Sequence, residues 1–190
     1  MKHCFTALLM AAASVGAAAQ TLDPAKSAVT AVSRQMNVPV EGKFTKFTAQ
    51  IAFDAAKPEA GKAELVIDTA SFDIGNAEIN DEAKGKNWFD AKNFPQAKFV
   101  ATAVKAAGPG RFEVTGPLTI KGKTNTVTAP FTVKTDGGAT VYEGAFPIKR
   151  LAFNIGEGVW KDTDTVADDV QVRFRLVMTG GKPAPPPAKK

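Results

Sequence analysis

The sequence predicts an all-β fold, with about eight antiparallel strands and hardly any helix. Three observations carry this. Apolar and polar residues alternate along most of the chain, as at Phe47, Ala49, Ile51 and Phe53 against Thr48, Gln50, Ala52 and Asp54. Gly-, Pro- and Asp-rich turn signals return about every 10–20 residues, short enough for neighbouring strands to run antiparallel. Only Asp73–Lys86 departs from the alternation toward a helical pattern. A closed up-and-down barrel and a sandwich both fit, and a barrel has the advantage of leaving no exposed edge.

In chain order, Leu22-Asp23-Pro24-Ala25 opens the domain with a turn, and Ser27–Met36 reads as the first strand. Val38-Pro39-Val40-Glu41-Gly42 breaks it. Strands follow over Phe47–Phe53 and Ala63–Asp68, joined through Lys57-Pro58-Glu59-Ala60-Gly61. Asp73–Lys86 gives one or two helical turns closed by Gly85. The next strand covers Lys98–Ala106 and stops at Gly108-Pro109-Gly110. Arg111–Ile120 follows, where Gly116-Pro117 marks a bulge or an edge, since proline gives no donor to the ladder. Lys121-Gly122-Lys123 turns into a strand around Val127–Lys134, and Asp136-Gly137-Gly138 turns again into Thr140–Arg150. Leu151–Ala167 is loop-rich. The last strand is the plainest, with Val170, Val172, Phe174, Leu176 and Met178 on one face and Gln171, Arg173, Arg175, Val177 and Thr179 on the other.

Between helix and strand lies Asn87-Trp88-Phe89-Asp90-Ala91-Lys92-Asn93-Phe94-Pro95. Its rings are too many to leave in water, they do not alternate, and Pro95 turns Phe94 away from helical geometry. This is a packed aromatic corner, placed as a lid over one end of the β structure.

Residues 1–19 read as a cleaved signal peptide: Lys2, an apolar run from Phe5 to Val15, then Ala17-Ala18-Ala19. The expected location is periplasmic or secreted. Residues 20–180 form the barrel domain, and the Pro/Lys-rich residues 181–190 a disordered tail. His3 and Cys4 are the only histidine and cysteine, and both leave with the signal. The exported chain then makes no disulfide, and the usual zinc, copper and haem donors are gone. Neither a Ser–His–Asp nor a Cys–His site can be built. The formal charge of +5 falls to +4 without Lys2, and Lys182, Lys189 and Lys190 carry three of those charges. The body is nearly neutral, without the basic stripe of a nucleic-acid partner. Asp162, Asp164, Asp168 and Asp169 form an acidic, solvated loop that lacks the calcium-loop pattern. Asp81 and Glu82 are adjacent in sequence and point apart, so they make no acid–base pair. No catalytic residue, metal or cofactor is expected.

The inward apolar set surrounds either a filled core or a cavity. The candidate wall consists of Phe47, Ile51, Phe53, Leu65, Ile67, Phe99, Leu118, Ile120, Phe131, Val172, Phe174 and Leu176. Trp88, Phe89, Phe94, Phe153 and Trp160 are candidates for a gate, against plain corner packing. Arg150, with Arg34 and Lys86, is a candidate for meeting a polar head group, since arginine holds phosphate bidentately.

Four blocks together resemble the YceI-like family of lipid- and polyisoprenoid-binding proteins. They are Val40-Glu41-Gly42-Lys43-Phe44-Thr45-Lys46-Phe47; Trp88-Phe89-Asp90-Ala91 through Phe94-Pro95 to Phe99; Gly116-Pro117-Leu118-Thr119-Ile120-Lys121-Gly122-Lys123-Thr124; and Arg150-Leu151-Ala152-Phe153-Asn154-Ile155-Gly156. The resemblance implies an eight-stranded antiparallel barrel of lipocalin-like shape. It also implies an apolar cavity for an isoprenoid or fatty-acyl chain, no established catalytic residue, and homodimers; the function expected is binding of a polyisoprenoid, quinone or fatty-acyl lipid for transport or storage. The partners expected are a lipid ligand and, transiently, a membrane, with no nucleic acid. The family's histidine positions are occupied here by Ser33-Arg34-Gln35-Met36-Asn37 and by Glu78–Lys86, so its head-group contacts do not carry over. An enzyme acting on an isoprenoid lipid and a structural stress protein with a filled barrel are the alternatives.

Overall fold

Every ladder among the described residues joins antiparallel neighbours, and following the ladders from strand to strand returns to the start. The structure is a computed structural model that describes residues 20–180. The expected signal peptide and tail lie outside the described residues.

Twelve extended segments make eight staves. Four staves are bent or interrupted doubles: β1 (Thr21–Leu22) with β2 (Ala28–Gln35), β3 (Val38–Phe44) with β4 (Phe47–Ala52), β5 (Lys62–Asp68) with β6 (Phe72–Asp73), and β7 (Gln96–Val100) with β8 (Ala103–Gly108). Four are single: β9 (Arg111–Ile120), β10 (Lys123–Asp136), β11 (Ala139–Lys149) and β12 (Asp169–Thr179). Each stave pairs with the next in sequence, and β12 closes the circuit against β1 and β2 through Leu22↔Met178 and Phe174↔Val29. The fold is therefore an antiparallel sheet curled into an eight-stave, up-and-down barrel. One short helix, α1 (Ala77–Lys84), is inserted between β6 and β7.

The bends account for the difference between eight expected strands and twelve segments. At Thr45–Lys46 the chain leaves one ladder for another, and Ser71 bridges the corner by donating to Lys46 O and accepting from Lys46 N. Val38–Gly42, expected to break the first strand, is itself strand. The reversal lies at Met36–Asn37, both left-handed (φ 47° and 66°), as a two-residue hairpin turn requires. Proline at position 39 hid this strand.

The strand expected over Lys98–Ala106 is interrupted at Ala101–Thr102. That break also corrects the reading of Gly116-Pro117. Neither a bulge nor an edge occurs there, because both residues keep register with Val127 and Thr126. They sit where β9 changes partner from β8 to β7, and a Cβ on Gly116 would lie 1.9 Å from Val100 O. The irregularity belongs to the neighbouring stave.

Helix α1 is shorter than Asp73–Lys86, since Asp73 belongs to β6. Asn76 caps it by accepting from Ile79 N, and Gly85 N–H closes it on Glu82 O. Asn80 fastens it to β6, accepting from Ile74 N at 2.8 Å and donating to Asp73 at 2.9 Å. The Gly75 N–H, followed by the Asn80 amide, donates to the Asp73 carboxyl and holds it below its usual pKa.

Up-and-down order sorts the connections into two ends. The Met36–Asn37 and Lys121–Gly122 turns, α1 with the aromatic corner, and the 150–168 connection lie at one end, the mouth. The 53–61, 109–110 and 137–138 connections and the described chain ends lie at the other, the floor. Val177, on the outward face of β12, is nevertheless buried. The Asp23–Ser27 turn lies beside it, where Val177 N donates to Ser27 Oγ and Asp23 N to Val177 O.

Candidate functional site

Between floor and lid the inward side chains do not fill the barrel. They surround a cavity of about 820 Å³. Period-two alternation makes its wall apolar: one apolar face per stave, turned inward eight times.

Fifteen of the twenty candidate residues line this cavity. The wall receives Ile51, Phe53, Leu65, Ile67, Phe99, Leu118, Ile120, Phe131, Val172, Phe174 and Leu176, and the mouth receives Trp88, Phe89, Arg150 and Trp160. Three aromatic candidates do not line it. Phe47 packs half-buried against the core beside the Thr45–Lys46 bend. Phe94 lies over the β9–β10 turn, where a Cβ on Gly122 would come within 2.8 Å of its ring, so that glycine is the seat of the ring. Phe153 is buried in the core. The corner is thus split, with Trp88 and Phe89 facing the cavity and Phe94 pinning the corner down.

The floor is aromatic. Phe53 meets Phe112, Phe131 and Tyr142 edge-on, with ring centroids 4.9, 5.7 and 6.0 Å apart. The Tyr142 hydroxyl donates to Gln20 Oε1 at 3.2 Å, and burial pushes its pKa up to about 12. A second aromatic group, Phe44, Phe72 and Phe89, stands under the lid with centroids 5.2–5.7 Å apart.

The mouth is built differently, on two buried cations. Arg150 is 1% exposed and spends all five N–H donors on backbone carbonyls: Nε on Ala167, the two terminal nitrogens on Ile155, Gly156, Trp160 and Val166, at 2.7–3.2 Å. It therefore has no donor left for a head group, which corrects the expected role. It staples the 150–168 connection into shape. A Cβ on Gly156 would lie 2.1 Å from the guanidinium, so the glycine of that sequence block exists to let its carbonyl approach. Burial lowers the Arg150 pKa, with the Asp168 carboxylate acting the opposite way.

Lys121 is the second cation, and sequence reasoning missed it. It is 7% exposed, and Nζ donates to Lys86 O, Asn154 O and Glu157 Oε2 at 2.7–2.8 Å, tying three mouth segments together. Its ammonium holds the Glu157 carboxyl below its usual pKa. The available signal was its place in a tight Lys-Gly turn, where its φ is +48°.

Trp88 lies between the mouth's parts. Its ring is 5.6 Å from Trp160 and 5.9 Å from the Arg150 guanidinium, and its buried Nε1 has no hydrogen-bond partner among the described residues. Trp160 donates to Glu82 on α1 at 3.0 Å, latching helix and loop together. The cavity reaches the surface beside this latch, among Ser33, Gln35, Val40, Glu78 and Ile79. Exposed Lys62 borders it toward the floor. Arg34 and Lys86, the other head-group candidates, do not line it.

A family model described as the YceI-like domain matches residues 20–178. The chain belongs to this family. The crystal structure of BcnA from Burkholderia cenocepacia is 56% identical, with a TM-score of 0.80 over 82% of this chain and 98% of that one. A YceI protein of Campylobacter jejuni shares the fold at 23% identity and a TM-score of 0.68, covering 75% and 85% of the two chains. A domain of Saccharophagus degradans, described as polyisoprenoid-binding and implicated in plant cell wall breakdown, shares it at 18% identity and TM-score 0.69, covering 86% and 98%. Among curated relatives, a UPF0312 protein of Pseudomonas savastanoi pv. phaseolicola is 40% identical over 95 residues. The aligned stretch spans about half the length of such curated relatives. The YceI-like blocks thus have physical roles here: Gly42 seats the Phe72 ring, Gly122 seats Phe94, and Arg150 with Gly156 forms the loop staple.

Proposed function

We propose that this YceI-like protein is an exported carrier or store for a long-chain amphiphile, of polyisoprenoid, quinone or fatty-acyl type. The observation that carries this reading is the 820 Å³ cavity, walled mainly by Phe, Leu, Ile, Val and Ala side chains and bordered at the mouth by the exposed residues Gln35, Glu78 and Ile79. It exceeds the roughly 300 Å³ at which ligand sites begin, which a filled structural barrel does not match. Transfer of each methylene from water into such a space is worth about 0.8 kcal/mol, so a chain of a few isoprene units binds without any reactive group. Arg150, the one arginine bordering the cavity among the described residues, has its donors fully occupied, which supports holding a ligand rather than transforming it. The tail lies toward the aromatic floor and the polar end at the mouth, beside Ser33, Gln35 and Glu82.

Native mass spectrometry of protein recovered from its own cells tests this. A copurified lipid is expected, and Ala129→Trp, which places an indole in the space the tail would fill, is expected to abolish it. A wild-type protein with only the apo mass and no extractable lipid overturns the reading.

A further inference from the structure

Exposed large apolar side chains are unevenly distributed over this molecule. Val159 is 82% exposed, Met36 67%, Val38 62% and Ile79 46%, and all four lie at the mouth. Met36 and Val38 form the tip of the β2–β3 hairpin. Val159 lies in the 158–161 turn, and Ile79 on α1 borders the cavity opening. Hydrogen bonds make these segments one surface: Met36 N donates to Thr165 O, Ala167 N to Arg34 O, and Trp160 Nε1 to Glu82. The barrel wall offers charge instead, with Lys98–Glu64, Lys134–Glu143 and Arg173–Glu41 pairs on its outward faces.

We infer that the mouth rim docks on a lipid bilayer, inserting Met36, Val38 and Val159 into the interface so that a ligand passes between bilayer and cavity without crossing water. The occupant follows from continuity. The apolar rim runs into the apolar cavity through Ile79, and the proposed cargo resides in membranes; this step rests on the lipid-binding reading. Apolar residues on separate protruding tips suit a deformable interface better than a flat protein partner. Charge points the same way. Across residues 34–39, 77–86 and 157–164 the sequence places four cations against six carboxylates. The rim therefore has no electrostatic pull toward anionic lipid, and insertion of the apolar side chains is its attachment.

The test uses phosphatidylcholine vesicles and the variant Met36→Ser/Val38→Thr/Val159→Ser, none of whose positions lines the cavity. Wild-type protein is expected to float with the vesicles, and the variant to lose binding by about tenfold or more, since three apolar side chains leave the interface. Transfer of a fluorescent polyprenol between vesicles is expected to slow in parallel. Uptake of the same probe from detergent stays unchanged. Added phosphatidylglycerol is expected not to strengthen binding. Wild-type protein that fails to float, or a variant that floats as well as wild type, overturns the proposal. So does a wild-type dimer that the variant dissociates, which would make the rim a contact between copies. Flotation without any probe uptake sinks the carrier reading and leaves docking standing. Should the triple variant misfold, Val159→Ser alone is expected to weaken flotation, and unchanged flotation overturns docking.

Discussion

The two ends of this barrel solve the same problem with opposite chemistry. The floor is made of strand ends, the short turns at 109–110 and 137–138, and the 53–61 connection, which bonds to itself through Lys57 N to Asp54 O and Gly61 N to Pro58 O, and aromatic side chains close it edge to edge. The mouth carries an irregular connection from residue 150 to 168, in which only Val166 makes a bridge, to Gln35, so most of its carbonyls have no ladder to join. Buried carbonyls without donors are costly. Arg150 and Lys121 supply eight donors between them, seven to backbone carbonyls and one to the Glu157 carboxylate. Where repetitive structure ends, a buried cation takes over the work of the ladder. An arginine beside an apolar cavity is then a structural staple, and its proximity to the cavity says nothing about the charge of what the cavity holds.

The sharpest way to break this comparison is to remove the staple. Arg150→Met is expected to destabilise the protein by about 4 kcal/mol, because five carbonyls lose their donors at once. Urea denaturation measures it, and a cost under about 1 kcal/mol would remove the distinction between the ends. At the floor, Phe131→Ala is expected to cost about 3 kcal/mol through lost packing, with the mouth unaffected. Lys121→Met comes next, at about 2 kcal/mol by the same denaturation.

A pH titration sharpens the floor's side of the contrast. Tyr142 is the only tyrosine, so its phenolate absorbance reports a single site. Its folded pKa near 12 lies above the unfolded value of 10.0. Above pH 10 the unfolded chain releases this proton while the folded chain keeps it, so stability falls as pH rises from 10 toward 12. Tyr142→Phe is expected to remove that part of the alkaline decline. The smallest effect belongs to the exposed latch: Glu82→Gln should change stability by less than about 0.5 kcal/mol.

Much of the barrel was legible in the chain. The alternation at Phe47–Phe53 and Val170–Met178 reports a sheet with one apolar face, because successive strand side chains point to opposite sides. Turn signals at Gly108-Pro109-Gly110 and Asp136-Gly137-Gly138 fell where hairpins occur. The strand at Val38–Phe44 was hidden because Pro39 reads as a breaker and its reversal uses Met36–Asn37, residues without a strong turn signature. Val177 reads as solvent-facing by period, yet a turn of distant sequence lies beside it.

Sequence alone therefore determined the strand periodicity, the inward apolar set and the absence of histidine and cysteine from residues 20–180, since these follow from local spacing and composition. Only the tertiary structure decided that the inward side chains leave a cavity, that Phe47, Phe94 and Phe153 stay off its wall, and that Arg150 and Lys121 hold the mouth together. Those facts depend on which distant carbonyls and glycines arrive beside a given side chain. The closing of eight staves fixes that arrival, and no window of neighbouring residues contains it.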